Sequence, residues 1–197
     1  MPARDSGEVQ DSENAVAHVL LGVSAGIAAY KVVDLASKLT QRGHEVRTVM
    51  TPHALKFVTP LSFRAVTLQP VYTDTFEDDP GYRPEHISLP EWADVMFVAP
   101  ATADVIARAA AGLGDNLLTV TLISWMLPAK PVIFAPAMND RMWANPIVRK
   151  NIASLKEVGY RFLEPGTGRL ACGSYGTGRL PEAAEMIEAI EATLKRS

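Results

Sequence analysis

Twice in this chain a short apolar run ends at a proline and passes almost directly into a segment of helical character. The runs are Asp94 to Ala99, DVMFVA, before Pro100, and Val132 to Ala135, VIFA, before Pro136. Continuous apolar runs of this length fill strands buried on both faces, the habit of parallel sheets. A proline has no N–H to give to a ladder, so each strand is expected to stop there. A third run, His18 to Val23, leads through the small-residue turn Ser24-Ala25-Gly26 into a helix from Ile27 to Gln41, closed by Arg42-Gly43. Glu45 to Met50, EVRTVM, follows as a second strand. Strand, turn, helix and strand in this order make a βαβ unit.

The rest of the chain keeps this alternation. Residues 52–66 read as a short helix pair and 68–72 as a short strand. Helices are expected from about Ala101 to Ala111, from Asp115 to Met126, and from Asn145-Pro146 to Val158-Gly159. Tyr160 to Leu163 reads as a last strand, and Pro181 as the first position of a final helix that reaches Leu194. The expected class is α/β, a three-layer, doubly wound parallel sheet.

Bulk properties exclude several classes. A length of 197 residues suits one domain, and 48% hydrophobic content excludes a disordered chain. Net charge is −3 with no basic run, so no nucleic-acid partner is expected, and no apolar run approaches a membrane span. The single cysteine, Cys172, has no internal disulfide partner, which fits a reducing compartment, and the expected location is cytoplasmic. Residues 1–16 are polar and acidic and lack the apolar core of a signal peptide. They read as a disordered tail, with the working domain at 17–197.

In open α/β sheets ligands bind beyond the carboxyl ends of the strands, so the residues after each strand matter most. The first turn, GVSAGIAAYK, is neither G-x-G-x-x-G nor a P-loop, and the second strand ends in Met50-Thr51-Pro52 with no acid for a ribose. What remains is a helix N-terminus able to cradle one phosphate, with Thr51 and His53 as further donors, or else a tight turn without a ligand. Asn139, after Pro136, carries an uncharged amide that can hydrogen-bond a carboxylate; it also fits a plain helix cap. Asp74 to Pro84 is an acidic, proline-containing loop and a candidate lid. His86 lies just after it; histidine is a side-chain type suited to acid–base work at neutral pH, but a polar surface role fits equally. Residues 165–180, PGTGRLACGSYGTGRL, hold five glycines, with Cys172 central and Arg169 and Arg179 flanking. Positive charge there would favour a thiolate in a closing flap, unless this is a mobile loop with an incidental thiol.

Five stretches taken in order, VSAGIAAYK, HISLPEWADV, APATADVIARAAAGLGDNLLT, PAMNDRMW and RLACGSYGTGR, resemble the flavin-containing cysteine decarboxylases over about residues 17–192. The resemblance implies a flavodoxin- or Rossmann-like fold that binds FMN. It assigns flavin contacts to Ala25, Gly26 and Ile27, to Thr51, Pro52 and His53, to Thr102, Ala103, Asp104 and Val105, and to Ala137. It assigns catalysis to His86, Asn139 and Cys172, with Asn139 on the substrate carboxylate and Arg169, Leu170 and Ala171 lining the substrate. The implied substrate is a small molecule, 4'-phosphopantothenoylcysteine of coenzyme A biosynthesis. Its cysteine is oxidised, loses CO₂ and is reduced again to give 4'-phosphopantetheine, with His86 as base and Cys172 as proton donor.

Relatives are trimers, or dodecamers built from trimers, so a homo-oligomer with FMN at subunit contacts is expected. Peptidyl-cysteine decarboxylases, flavin prenyltransferases and non-catalytic phosphatase-binding relatives are the rivals. The ACG flap favours the small-molecule branch. Some positions depart from the pattern. Relatives often have glycine at Ala25, serine at Gly26, and Ser-Ala-Asn-Thr where Thr102-Ala103-Asp104-Val105 stands. Asp104 turned inward would repel a flavin phosphate. Bacterial relatives often carry a second, synthetase domain, so a stand-alone enzyme or a separated half is expected.

Overall fold

The computed structural model describes residues 16–75 and 84–195. The predicted tail therefore lies outside the described residues but for Val16, as does most of the candidate lid, 76–83. The chain opens with β1 (His18–Val23), α1 (Ala29–Gln41) and β2 (Glu45–Met50). A single 3₁₀ turn, Ala54–Lys56, leads to α2 (Pro60–Thr67), β3 (Val71–Tyr72) and α3 (Glu85–Trp92). Next come β4 (Val95–Ala101), α4 (Ala103–Ala111), α5 (Leu117–Ile123) and β5 (Val132–Pro136). The chain continues with α6 (Asp140–Ala144), α7 (Pro146–Glu157) and β6 (Arg161–Phe162), then β7 (Gly166–Arg169), β8 (Tyr175–Arg179) and α8 (Ala183–Leu194).

Among the described residues β1 to β6 form one all-parallel sheet in the order β3-β2-β1-β4-β5-β6. This is the Rossmann order, and it puts the reversal of strand order between β1 and β4. Pleating sorts β1 between the two faces. Val19, Leu21 and Val23 pack with α1, α2 and α8, whereas Leu20 packs with α3, α4, α5 and α7. These side chains are wholly buried, and each aliphatic one contributes roughly 1.5–3 kcal/mol. Gly22 lies where α5 crosses the sheet, and a Cβ there would come 2.6 Å from Leu118 Cδ1, so that side chain would have to shift.

Several expectations shift. One proline does not stop its strand: β4 runs through Pro100 to Ala101, whereas β5 ends at Pro136, which pairs with Ala101. Proline lacks only the donor. The ladder closes when Ala137 N–H donates to the Ala101 carbonyl at 3.2 Å. The predicted helix at Asp115–Met126 is shorter because Asn116 and Thr119 form a reciprocal capping box that sets its start. Residues 85–92 are helical despite Pro90. Pro181 precedes the cap, Glu182, rather than occupying the first helical position. The glycine-rich segment is an antiparallel hairpin, with Thr167 opposite Thr177 and their hydroxyls 2.9 Å apart.

Candidate active site

The carboxyl ends of β1, β4 and β5 surround a cleft of about 440 Å³, closed on one side by the β7–β8 hairpin. Its walls come from the turn before α1 (Gly26, Ile27), the segment after β5 (Ala137, Asn139) and the hairpin (Arg169 to Cys172). At the switch point Ser24 Oγ donates to the Pro100 carbonyl at 2.5 Å and accepts from Thr102 N–H at 3.2 Å. Thr102 in turn caps α4, its hydroxyl accepting from Val105 N–H at 3.4 Å. The first turn of α1 differs: its cap is Ala28, with no side-chain acceptor and no acidic residue within that turn. The positive end of this 13-residue helix lies beside the cleft, and Glu182 reaches its first turn at Lys31.

Asn139 does two things at once. Its Oδ1 accepts from Arg141 N–H at 2.9 Å and caps α6. That bond orients the amide, so Nδ2 points to the hairpin and donates to Cys172 Sγ at 3.1 Å. The helix-cap and functional readings are therefore compatible, because a primary amide has two separable ends. One Nδ2 hydrogen engages the sulfur and a second is left over for a substrate acceptor.

The hairpin is locked against this segment. Gly178 C=O accepts from Met138 N–H at 2.9 Å, and a Cβ at Gly178 would collide with the Met138 carbonyl. Cys172 is exposed, and its thiol pKa is lowered. The main cause is hydrogen bonding with the Ser174 hydroxyl, 3.2 Å away, followed by backbone N–H groups and Asn139. Positive charge from Arg169 and Arg179, the expected cause, is not among the causes: hydrogen bonds to the sulfur favour its charged form.

Other assigned residues stand outside the cleft walls. Ala25 precedes Gly26 in the turn, and Thr51 N–H donates to the Val23 carbonyl at 3.0 Å, which holds the Thr51–His53 segment at the neighbouring strand end. Ala103 and Val105 belong to the first turn of α4. Asp104 turns to Arg108 at 2.9 Å, and Arg108 also reaches Asp115. Its charge is thus matched on the surface. His86 lies on α3, on the sheet face opposite α1, and its Nδ1 is buried without a hydrogen-bond partner among the described residues. It does not meet Asn139 or Cys172 within one chain's cleft.

Sequence reasoning misses Lys31 and Ser24 as site residues, and it names Arg179 only as a flanking charge. Lys31 and Arg179 line the cleft, and Glu182 approaches both, at 3.1 and 3.5 Å. Lys31 is one helical turn beyond the small-residue turn on α1, the signal that would have found it.

The family model described as Flavoprotein matches residues 8–195. The bifunctional coenzyme A biosynthesis protein CoaBC of Bacillus subtilis is 47% identical over 88% of this chain, which spans 42% of that relative's length. A probable phosphopantothenoylcysteine decarboxylase of Streptococcus mutans is 41% identical, covering 89% of this chain and 98% of its own. Two solved structures are similar at 34% identity. One is a cysteine-to-serine variant of a phosphopantothenoylcysteine decarboxylase with pantothenoylaminoethenethiol, covering 92% of this chain and all of that one, TM-score 0.81. The other is the FMN binding protein AtHal3, covering 93% of this chain and 99% of that one, TM-score 0.79. With the cleft at the switch point of a Rossmann-ordered sheet, these matches establish that the chain belongs to the flavoprotein family, among the flavin-containing cysteine decarboxylases.

Proposed function

We propose that the chain decarboxylates 4'-phosphopantothenoylcysteine to 4'-phosphopantetheine and CO₂, the step of coenzyme A biosynthesis for which its relatives are named, with FMN as the flavin. The observation that carries this reading is the 3.1 Å contact between Asn139 Nδ2 and Cys172 Sγ in one cleft. It sets a carboxylate-binding amide beside an acidic thiol. An N-acylated cysteine cannot lose CO₂ without an electron sink, and a bound FMN would supply the hydride chemistry that makes one from the cysteine's own carbon and sulfur. The uncapped α1 N-terminus suits a flavin phosphate, and the absence of a dinucleotide fingerprint favours FMN over FAD.

The chain's own residues divide the remaining work. Asn139 holds the carboxylate by its spare N–H without neutralising it. Lys31, Arg169 and Arg179 give the cleft positive charge for a phosphorylated substrate. Cys172 delivers a proton to carbon in the second half. The hairpin shields the reacting atoms from water. His86 acts as the base of the first half. Because it lies on the opposite sheet face, it is supplied to a neighbouring subunit's cleft, in keeping with a homotrimer or a dodecamer of trimers. Among the described residues no helix is long and apolar enough to cross a membrane, in keeping with a cytoplasmic enzyme.

The test measures CO₂ release by purified protein from phosphopantothenoylcysteine and from a cysteine-ended peptide, with the bound flavin identified after denaturation. Release from the small molecule with FMN is the expected result. Release from the peptide alone, or none from either, overturns the reading.

A further inference from the structure

The sulfur of Cys172 belongs to a chain of polar contacts that reaches past the cleft. Ser174 Oγ lies 3.2 Å from Sγ and donates to Asp140 Oδ1 at 3.3 Å. The backbone holds this geometry. Leu170 N–H donates to the Ser174 carbonyl at 2.8 Å and Gly173 N–H to the Leu170 carbonyl at 2.9 Å, which makes a tight hairpin end. Asp140 is pinned from the other side, since a Cβ on Gly176 would come within 2.8 Å of its own Cβ. A serine hydroxyl has one hydrogen. It cannot serve Asp140 and a thiolate together.

We propose that Ser174 is a positioning residue whose one hydroxyl hydrogen is contested by Asp140 and Cys172, so that Asp140 sets how readily the thiol holds its proton. While Cys172 is a thiol, S–H donates to Ser174 Oγ and the hydroxyl donates to Asp140. Once the S–H proton leaves for substrate carbon, the hydroxyl turns and donates to the thiolate, and Asp140 loses its donor. No proton changes owner at serine. The lowered thiol pKa, with Ser174 as its first cause, agrees with the second arrangement. The other charged and titratable groups around the cleft are Tyr30 and Lys31 of α1, Arg141 of α6, Arg169, Tyr175 and Arg179 of the hairpin, and Glu182, which approaches Lys31 and Arg179. None of them contributes to that shift. The inference rests on the proposed use of Cys172 as proton donor, but its test needs no substrate.

Cys172 is the sole cysteine, so the pH dependence of iodoacetamide alkylation of the flavin-loaded protein reports it alone. Ser174→Ala should raise the apparent pKa by about one unit, slowing alkylation at neutral pH about tenfold, the order expected for one hydrogen bond to a charged group. Asp140→Ala should lower it. Removing the Asp140 charge also lowers it by simple Coulomb relief, so the deciding comparison is a double-mutant cycle. In a Ser174→Ala background Asp140→Ala should lose most of its effect, and Ser174→Thr should restore the wild-type profile. No shift in Ser174→Ala, or an Asp140→Ala shift of equal size in both backgrounds, overturns the proposal. Opposed, background-dependent shifts in a protein that released no CO₂ from phosphopantothenoylcysteine would sink the functional reading and leave this one standing.

Discussion

Two strand–proline–helix units sit side by side in the sheet, one after β4 and one after β5, and they end differently. After β4, Thr102 caps α4 with its hydroxyl and bonds Ser24, so its polar atoms are used within the scaffold. After β5, Asn139 caps α6 with only its carbonyl end and turns its NH₂ to Cys172. A hydroxyl cap keeps only its single hydrogen for a ligand. An amide cap is anchored at one end and free at the other. Similar local design therefore yields a structural joint in one place and a chemical group in the next, and the difference is one functional group with two ends.

The sharpest way to break the comparison is Asn139→Asp. Aspartate caps as well as asparagine, so fold and helix should persist while the N–H donor is replaced by a charge facing the substrate's carboxylate. Turnover should fall by roughly 10²–10³-fold with an unchanged melting curve, the size of losing one preorganised donor. Normal turnover would reduce Asn139 to the role Thr102 plays.

Cys172→Ser tests the partner of that amide. CO₂ should still be released, while formation of the saturated thiol drops about a hundredfold or more and a product two hydrogens lighter accumulates by mass spectrometry. Finding only the saturated product, made slowly, would falsify the donor role. The same thiol predicts a pH effect. A proton donor works only below its pKa, and the Cys172 pKa is lowered. The reductive half should therefore decline, as pH rises, earlier than for an ordinary thiol near about 8.5, in single-turnover measurements at a series of pH values.

Two smaller effects concern the scaffold. Gly178→Ala places a methyl against the Met138 carbonyl and should destabilise by about 1–3 kcal/mol in urea denaturation, with activity reduced as the hairpin shifts. Thr102→Ala removes a cap and a bond to Ser24. It should cost about 1 kcal/mol of stability and leave turnover within about twofold, as measured by thermal melting and steady-state assay.

Much of the fold was legible because it is local. The apolar runs at His18–Val23 and Val132–Ala135 could only be buried strands, and Gly43 and Gly112, both at positive φ, punctuate the chain where glycine is favoured. The hairpin was not legible as strands. Gly166 to Arg179 shows no apolar alternation, and its pairing is set by close approach to Met138 and Asp140 rather than by a buried face. The shortened α5 also escaped, because a capping box decided its start over an otherwise continuous apolar pattern.

By itself the sequence determined the α/β class, the strand ends where ligand groups gather, and the residue types able to do the chemistry, since these follow from periodicity and side-chain functional groups. Only the tertiary structure decided which of those residues meet. Strand order put the α1 turn next to Pro100, and the close packing of β8 on Met138 brought Cys172 to Asn139. The sorting of helices between two sheet faces separated His86 from both. Each of these is a contact between positions tens of residues apart, fixed by how layers pack, and no local spacing encodes it.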